Sequence, residues 1–323
     1  MSSEFKFNFG LPAVDDEADD NIQVSDTHKL NKSQNYSGCG GDASVSFKQH
    51  AVEIIKYLPT IRKLIKAESL GVLHLMSNEV ENSGPSSLWY LNQESVYGLL
   101  EASEPGDVTA NLCELMKHSD LRSGVYEGGF KIWECSIDLV KFLASDNANL
   151  QDKDVLELGC GAGLPALYCL VCGANFVCFQ DFNEEVINYF TVPNIICNLK
   201  QQSPHIDDTC LADLVNRKTL MLSGDWVDVC TCLKTNKKKF DLILSSETIY
   251  NTENYEKLHK LLCDCLKENG LALLANKSYY FGVGGSSKDF IEYIEQQGKL
   301  APKIVHQVDK GVNREIVQVK WKQ

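Results

Sequence analysis

From residue 121 onward, apolar and polar positions alternate between two periods. IWECSIDLVKFLAS (132–145) repeats its apolar residues at helical spacing. DVLELGCG (154–161) is an apolar run ending in a glycine turn, and LPALYCLVCG predicts the helix after it. ANFVCFQD (174–181) predicts a second strand, and NEEVINYFTVPNIICN a second helix kinked near Pro193. After a polar insertion at 200–216, TLMLSGDW predicts a third strand and VDVCTCLK a helical stretch. FDLILSSETIY predicts a fourth strand, and NYEKLHKLLCDCLKENG a helix stopped by Gly270. LALLANK and SKDFIEYIEQQG supply a fifth strand and helix.

The habit then changes. PKIVHQVDKGVNREIVQVKW holds two strands joined by an Asp309-Lys310-Gly311 turn. Alternating β and α elements imply a parallel sheet with right-handed crossovers. A terminal hairpin adds an antiparallel strand to it. The expected fold is α/β: a seven-stranded, mainly parallel, Rossmann-like sheet with helices on both faces and a C-terminal antiparallel hairpin. A dinucleotide-binding sheet would close with a sixth parallel strand instead.

The N-terminal part reads differently. Residues 10–45 are acidic and polar, with Asp15, Asp16, Glu17, Asp19 and Asp20 in one run, and bury too little apolar area to order themselves. Before them Phe5, Phe7 and Phe9 alternate as a short strand would. In 46–118, AVEIIKYLPTIRKLIK is helical in period but interrupted by Pro59, and ESLGVLHLMSN and SSLWYLNQ carry short apolar runs. The expected organisation is therefore a disordered segment at 1–45, a partly structured lead-in at 46–118 and the main domain at 119–323.

Charge and cysteine content narrow the chemistry. A net charge of −13 argues against direct nucleic-acid binding and favours a basic protein partner, although acidity also serves solubility. The opening residues have no signal-peptide pattern, and no segment approaches the ~20 apolar residues of a membrane span. The 13 cysteines are then expected as reduced thiols, most of them small core residues. Cys169 and Cys172, or the Cys230/Cys232 and Cys263/Cys265 pairs, lack the spacing of a zinc site, so no metal is expected.

The candidate ligand site starts at Glu157, Gly159, Gly161 and Gly163 in VLELGCGAG. A glycine turn between strand and helix lets a ligand approach the backbone and the free N–H groups of the helix start. Position 164 is Leu, so the third glycine of a dinucleotide fingerprint is missing. A carboxylate before the turn favours the positive amino group and sulfonium of S-adenosylmethionine and repels a pyrophosphate. Asp181, ending the second strand, suits ribose hydroxyls. Asp225 is placed to accept from an adenine amino group, with Trp226 against the ring. Each acid has a plainer reading as a turn former or helix cap.

The fourth strand ends in Ser245, Ser246, Glu247 and Tyr250, beside the expected methyl group. Methyl transfer needs an aligned nucleophile and excluded water more than new charge. Glu247 can hold the N–H of an incoming imidazole or amine, freeing the other imidazole nitrogen to attack; Tyr250 and Ser246 complete the transfer site, and Ser245 the cofactor side. The plainer reading makes Glu247 a helix cap and Tyr250 a core residue.

SGVYEGGFKIWEC (123–135), VLELGCGAGL (155–164), FQDFN (179–183), SGDW (223–226), SSETIYN (245–251) and KSYYFGVGG (277–285) resemble the histidine protein methyltransferases. These are seven-strand class I methyltransferases related to the eukaryotic protein-lysine methyltransferases. FKFNF near the start resembles that family too; 10–118 does not. The resemblance implies S-adenosylmethionine as cofactor and the tele nitrogen of a histidine in a basic large-subunit ribosomal protein as acceptor. It also implies cytoplasmic and nuclear or nucleolar residence; a monomer is expected. It places Trp133 and the Glu127-Gly128-Gly129 turn at the cofactor's methionine end, with Glu127 towards the substrate. Tyr279, Tyr280 and Phe281 become part of the substrate-facing wall. The same fold methylating lysine is the nearest rival; a non-catalytic binding module and a nicotinamide oxidoreductase are others.

Overall fold

The computed structural model describes residues 48–50, 70–75, 87–101, 125–145 and 148–323. The acidic stretch at 10–45, the Phe5–Phe9 triplet and AVEIIKYLPTIRKLIK lie outside them.

Strands β1 (Lys48–His50), β2 (Leu70–His74) and β3 (Ser87–Leu91) come first, then helices α1 (Gln93–Glu101) and α2 (Glu134–Ser145). Five strand–helix alternations follow. β4 (Asp154–Leu158) leads to α3 (Leu164–Val171), and β5 (Phe176–Asp181) to α4 (Glu184–Val186) and α5 (Val192–Gln202). Next come α6 (Asp208–Lys218), β6 (Thr219–Ser223) and α7 (Trp226–Thr235). β7 (Phe240–Ser246) leads to α8 (Tyr255–Cys265), and β8 (Leu266–Lys277) to α9 (Ser287–Gln297). The hairpin β9 (Leu300–Val308) and β10 (Arg314–Trp321) closes the chain.

The main sheet runs β1-β6-β5-β4-β7-β8-β10-β9. Pairs from β6 to β8 are parallel, β10 is antiparallel to both β8 and β9, and the seven-stranded arrangement expected from the hairpin is present. β1 adds an eighth, antiparallel strand on the β6 edge, so part of the lead-in belongs to the main sheet.

Alternation along the strands sorts side chains between two cores. Val155, Val177, Phe179, Leu242, Leu244, Leu273 and Ile316 point to the face covered by α2, α3 and α5. Leu156, Leu158, Cys178, Ile243, Leu274 and Val317 point to the face covered by α7, α8 and α9. Both faces are covered, which is why the central strands read as continuous apolar runs.

Three expectations need correction. The polar insertion at 200–216 contains α6, whose N-cap Asp207 accepts from Cys210 N–H at 2.9 Å and whose Leu211 and Val215 are buried. Gly270 does not stop a helix. α8 ends at Cys265 and Gly270 lies inside β8, where Leu266 pairs with Phe240 but Leu271 already pairs with Leu242. A Cβ on Gly270 would sit 2.9 Å from the Phe240 carbonyl, so the strand irregularity there requires glycine. The break near Pro193 is a π turn at Ile187–Thr191, ahead of the proline. Val192 N–H reaches back five residues to Ile187 O, and Pro193 after it has no N–H to donate.

β2 and β3 form a separate antiparallel hairpin against α5. Asn198 accepts from Trp89 N–H at 2.9 Å and donates to Trp89 O at 2.7 Å. Asn194 accepts from Leu91 N–H at 2.8 Å while donating to Ala162 O at 2.9 Å. The two amides thus act as a neighbouring strand would, and Asn194 ties the hairpin to the turn after β4.

Candidate active site

A cleft enclosing about 1150 Å³, part of it open to solvent, lies at the C-terminal ends of β4 to β7. This is the edge at which parallel sheets bind ligands. Gly159, Cys160, Gly161 and Ala162 form its floor, with Asp181, Gly224, Asp225 and Trp226 on one side. Ser246, Glu247, Thr248 and Tyr250 stand opposite, and Glu127 to Trp133 supply a further wall.

The floor is a left-handed bend. Gly161 has φ 51°, and a Cβ there would lie 2.9 Å from Gly129 O. Gly159 has φ 60°, and a Cβ would lie 2.8 Å from Thr248 Cγ2. Any side chain would be strained by its backbone and would close the space between floor and walls.

Backbone N–H groups hold the acids around this bend. Asp181 accepts from Gly161 N–H at 2.9 Å and from Asn183 N–H at 3.1 Å. Burial pushes its carboxyl up to about 6 despite those bonds, with Glu127 adding repulsion. Asp225 caps α7 by accepting from Val227 N–H at 2.8 Å and pairs with Lys257 at 2.7 Å. It lines the cleft as expected, and it also holds the cap role that was its plainer reading.

Gln180 was not singled out in the sequence. Buried at the end of β5, it accepts from Gly159 N–H at 3.2 Å and Trp226 Nε1 at 2.9 Å. It also donates to Gly224 O at 3.0 Å, tying the turns after β4 and β6 together. Only its place inside FQDFN hinted at this.

The upper wall is fastened on two sides. Asn183 accepts from Glu127 N–H at 3.3 Å and donates to Val125 O at 2.8 Å. Trp133 Nε1 donates to Gly128 O at 3.0 Å, and the Tyr250 hydroxyl donates to the Glu127 carboxylate across the cleft. Burial and that carboxylate push the Tyr250 phenol up, so it stays a donor.

Glu247 differs from the other acids. It follows β7 with φ 58°, is buried, and neither carboxylate oxygen is hydrogen-bonded. The Lys277 ammonium lies 3.5 Å from its Oε2, farther than a good charge-assisted bond.

Several expected site residues lie elsewhere. Glu157 is behind the floor: its carboxylate accepts from Ala166 N–H of α3 at 2.9 Å, and full burial pushes it up to about 8. Gly163 is the N-cap of α3, outside the cleft lining. Ser245 is buried under it, with Oγ on Leu158 O at 3.1 Å and on Thr248 Oγ1 at 2.6 Å, because its side chain alternates away from that of Ser246. Tyr280 is buried behind Tyr250 with ring centres 6.3 Å apart. Tyr279 and Phe281 are 49% and 75% exposed, their rings 5.0 Å apart, and do not line the cleft. Their loop is pinned beside it by Gly285 N–H donating to Tyr250 O at 3.0 Å.

A sulfonium nucleoside fits these residues. Asp181 offers lone pairs for a diol, the bend offers close backbone approach, and Glu127 suits a cationic tail where a pyrophosphate would be repelled. Among the described residues no three His, Cys, Asp or Glu side chains gather as a metal site, and no helix is long and apolar enough to cross a membrane.

The chain is similar to several known proteins. Residues 115–297 match a family model described as lysine methyltransferase. A histidine protein methyltransferase 1 homolog of Dictyostelium discoideum is 43% identical over 208 residues, covering 64% of this chain and 62% of its own length. Histidine protein methyltransferase 1 of Schizosaccharomyces pombe is 32% identical over 266 residues, covering 73% of each. This chain thus spans less than two-thirds of the first relative and nearly three-quarters of the second. A solved putative methyltransferase complexed with SAH superposes with a TM-score of 0.45 at 13% identity, covering 84% of this chain and 83% of that one.

Proposed function

The chain belongs to the histidine protein methyltransferases, within the wider lysine methyltransferase family, and from that premise we propose that it methylates a protein histidine using S-adenosylmethionine. The observation that carries the reading is Glu247, a buried carboxylate at the rim of the glycine bend with no hydrogen bond on either oxygen. Such a group awaits a donor. A neutral imidazole brings one N–H and, on its other nitrogen, a lone pair.

When bound, the cofactor supplies an electrophilic methyl group. Asp181 would accept from its ribose, and Gly159 and Gly161 would let its tail lie against the backbone. Trp226, steadied by Gln180, would pack beside the base. Glu247 would accept from the imidazole N–H and aim the opposite lone pair into the cleft. Tyr250, Glu127 and Trp133 exclude water and orient the acceptor.

The finer reading follows the family resemblance: the tele nitrogen of a basic large-subunit ribosomal protein, met by a monomer in the cytoplasm and nucleus. The net charge of −13 supports a basic partner. Ribosomal proteins from cells lacking the enzyme, incubated with labelled cofactor and mapped by mass spectrometry, test this. Label on histidine is expected; label on lysine would replace it with the second reading, which the family model's description favours.

A further inference from the structure

The parallel pairing of β7 and β8 brings Glu247, one residue past β7, beside Lys277, the last residue of β8. Glu247 N–H donates to Ala275 O at 2.9 Å, fixing the left-handed backbone that turns its side chain inward. Ammonium and carboxylate stand 3.5 Å apart, their side chains only 9% and 5% exposed. The aromatic faces of Trp133 and Tyr280 lie 5.3 and 5.7 Å from the ammonium. Also facing Glu247 are the Cys135 thiol and the Tyr280 phenol, both held neutral by burial. Lys277 does not line the cleft; Glu247 and Trp133, both next to it, do.

A solitary buried carboxylate in an acceptor pocket would draw in an ammonium as readily as it accepts an N–H. The other acids are less free to do so. Asp181 is bonded to Gly161 and Asn183, and Glu127 takes the Tyr250 hydroxyl. We propose that Lys277 is a positioning residue that sets acceptor choice, by neutralising Glu247 so that it receives the N–H of a neutral imidazole without attracting a lysine ammonium. For a cationic acceptor in the cleft, the repulsion of Lys277 behind Glu247 offsets part of the attraction of Glu247. For a neutral ring the hydrogen bond to a carboxylate remains. The inference rests on the histidine reading above and names the group behind its selectivity.

The test uses the full chain and two peptides that differ only in carrying histidine or lysine at the target position. The ratio of their kcat/KM values is internal to each sample, so partial unfolding cancels, and calorimetric cofactor affinity reports an intact site. Lys277→Met is expected to lower the histidine-to-lysine ratio by about tenfold or more, by losing histidine kcat and gaining lysine-peptide affinity. Lys277→Arg keeps the charge and is expected to hold the ratio within about threefold of wild type. Should the Met variant fail to fold, Lys277→Gln is read in the same way. A wild-type ratio in the Met or Gln variant, with histidine still the wild-type acceptor, overturns the role of Lys277 alone. Wild-type enzyme that methylates only lysine overturns both the reading and the inference.

Discussion

On the β4–β6 side of the cleft, Asp181 accepts from Gly161 and Asn183, and Asp225 from Val227. On the β7–β8 side, Glu247 has no hydrogen bond on either oxygen and faces a lysine across 3.5 Å. Backbone donors fix the first set whether or not a ligand is present, as suits a cofactor that is the same in every cycle. The second keeps hydrogen-bonding capacity in reserve, as suits an acceptor that enters and leaves. Rigidity is spent where the ligand is constant.

This contrast can be broken at either side. Gly159→Arg puts a long side chain on a left-handed position that faces Thr248, and should weaken cofactor binding by more than about 100-fold in calorimetry. Wild-type affinity would move the cofactor elsewhere. Glu247→Ala should lower kcat by about 100-fold while leaving cofactor affinity within about threefold. An equal loss of cofactor binding would erase the division between the two sides.

A third change probes the buried acid beneath the floor. Burial raises Glu157 from 4.5 to about 8, so the native state binds its proton more tightly than the unfolded chain does. Its contribution to stability therefore falls as pH rises from 4.5 towards 8. Glu157→Gln cannot titrate. The melting temperature of the variant relative to wild type should be higher at pH 9 than at pH 5, by roughly 5 °C. No pH dependence in that difference would show that Glu157 is solvated in solution.

The smallest effect is expected outside the cleft. Asn198→Ala removes both amide bonds to Trp89 and should cost about 1–3 kcal/mol in denaturant unfolding, with kcat unchanged. A fall in kcat would mean that the hairpin tunes the turn after β4, which Asn194 touches through Ala162.

The alternating domain was legible because its signals are local. Strand periodicity, helix periodicity and the hairpin turn each span a few residues, and together they imply a mainly parallel sheet closed by an antiparallel hairpin. The glycine bend and Asp181 were legible for the same reason, since both sit at a strand's end. β1 was not, because three residues carry no period and pair only with a distant edge. α6 was masked by polar residues with only Leu211 and Val215 buried. Gln180 looked like an ordinary strand residue because its three partners come from two other turns.

By itself the sequence determined most elements from residue 121 onward, their parallel and antiparallel senses, and the strand ends from which chemistry could project, because backbone geometry follows from residue type and spacing. Which side chains face the cleft was decided only by tertiary structure. Ser245 and Ser246 are neighbours in sequence and part company across the sheet, and Glu157, expected beside the ligand, serves a helix beneath it. Glu247 and Lys277 are 30 residues apart in sequence and meet only because two parallel strands end side by side. Long-range pairing of that kind depends on register, and no local pattern encodes it.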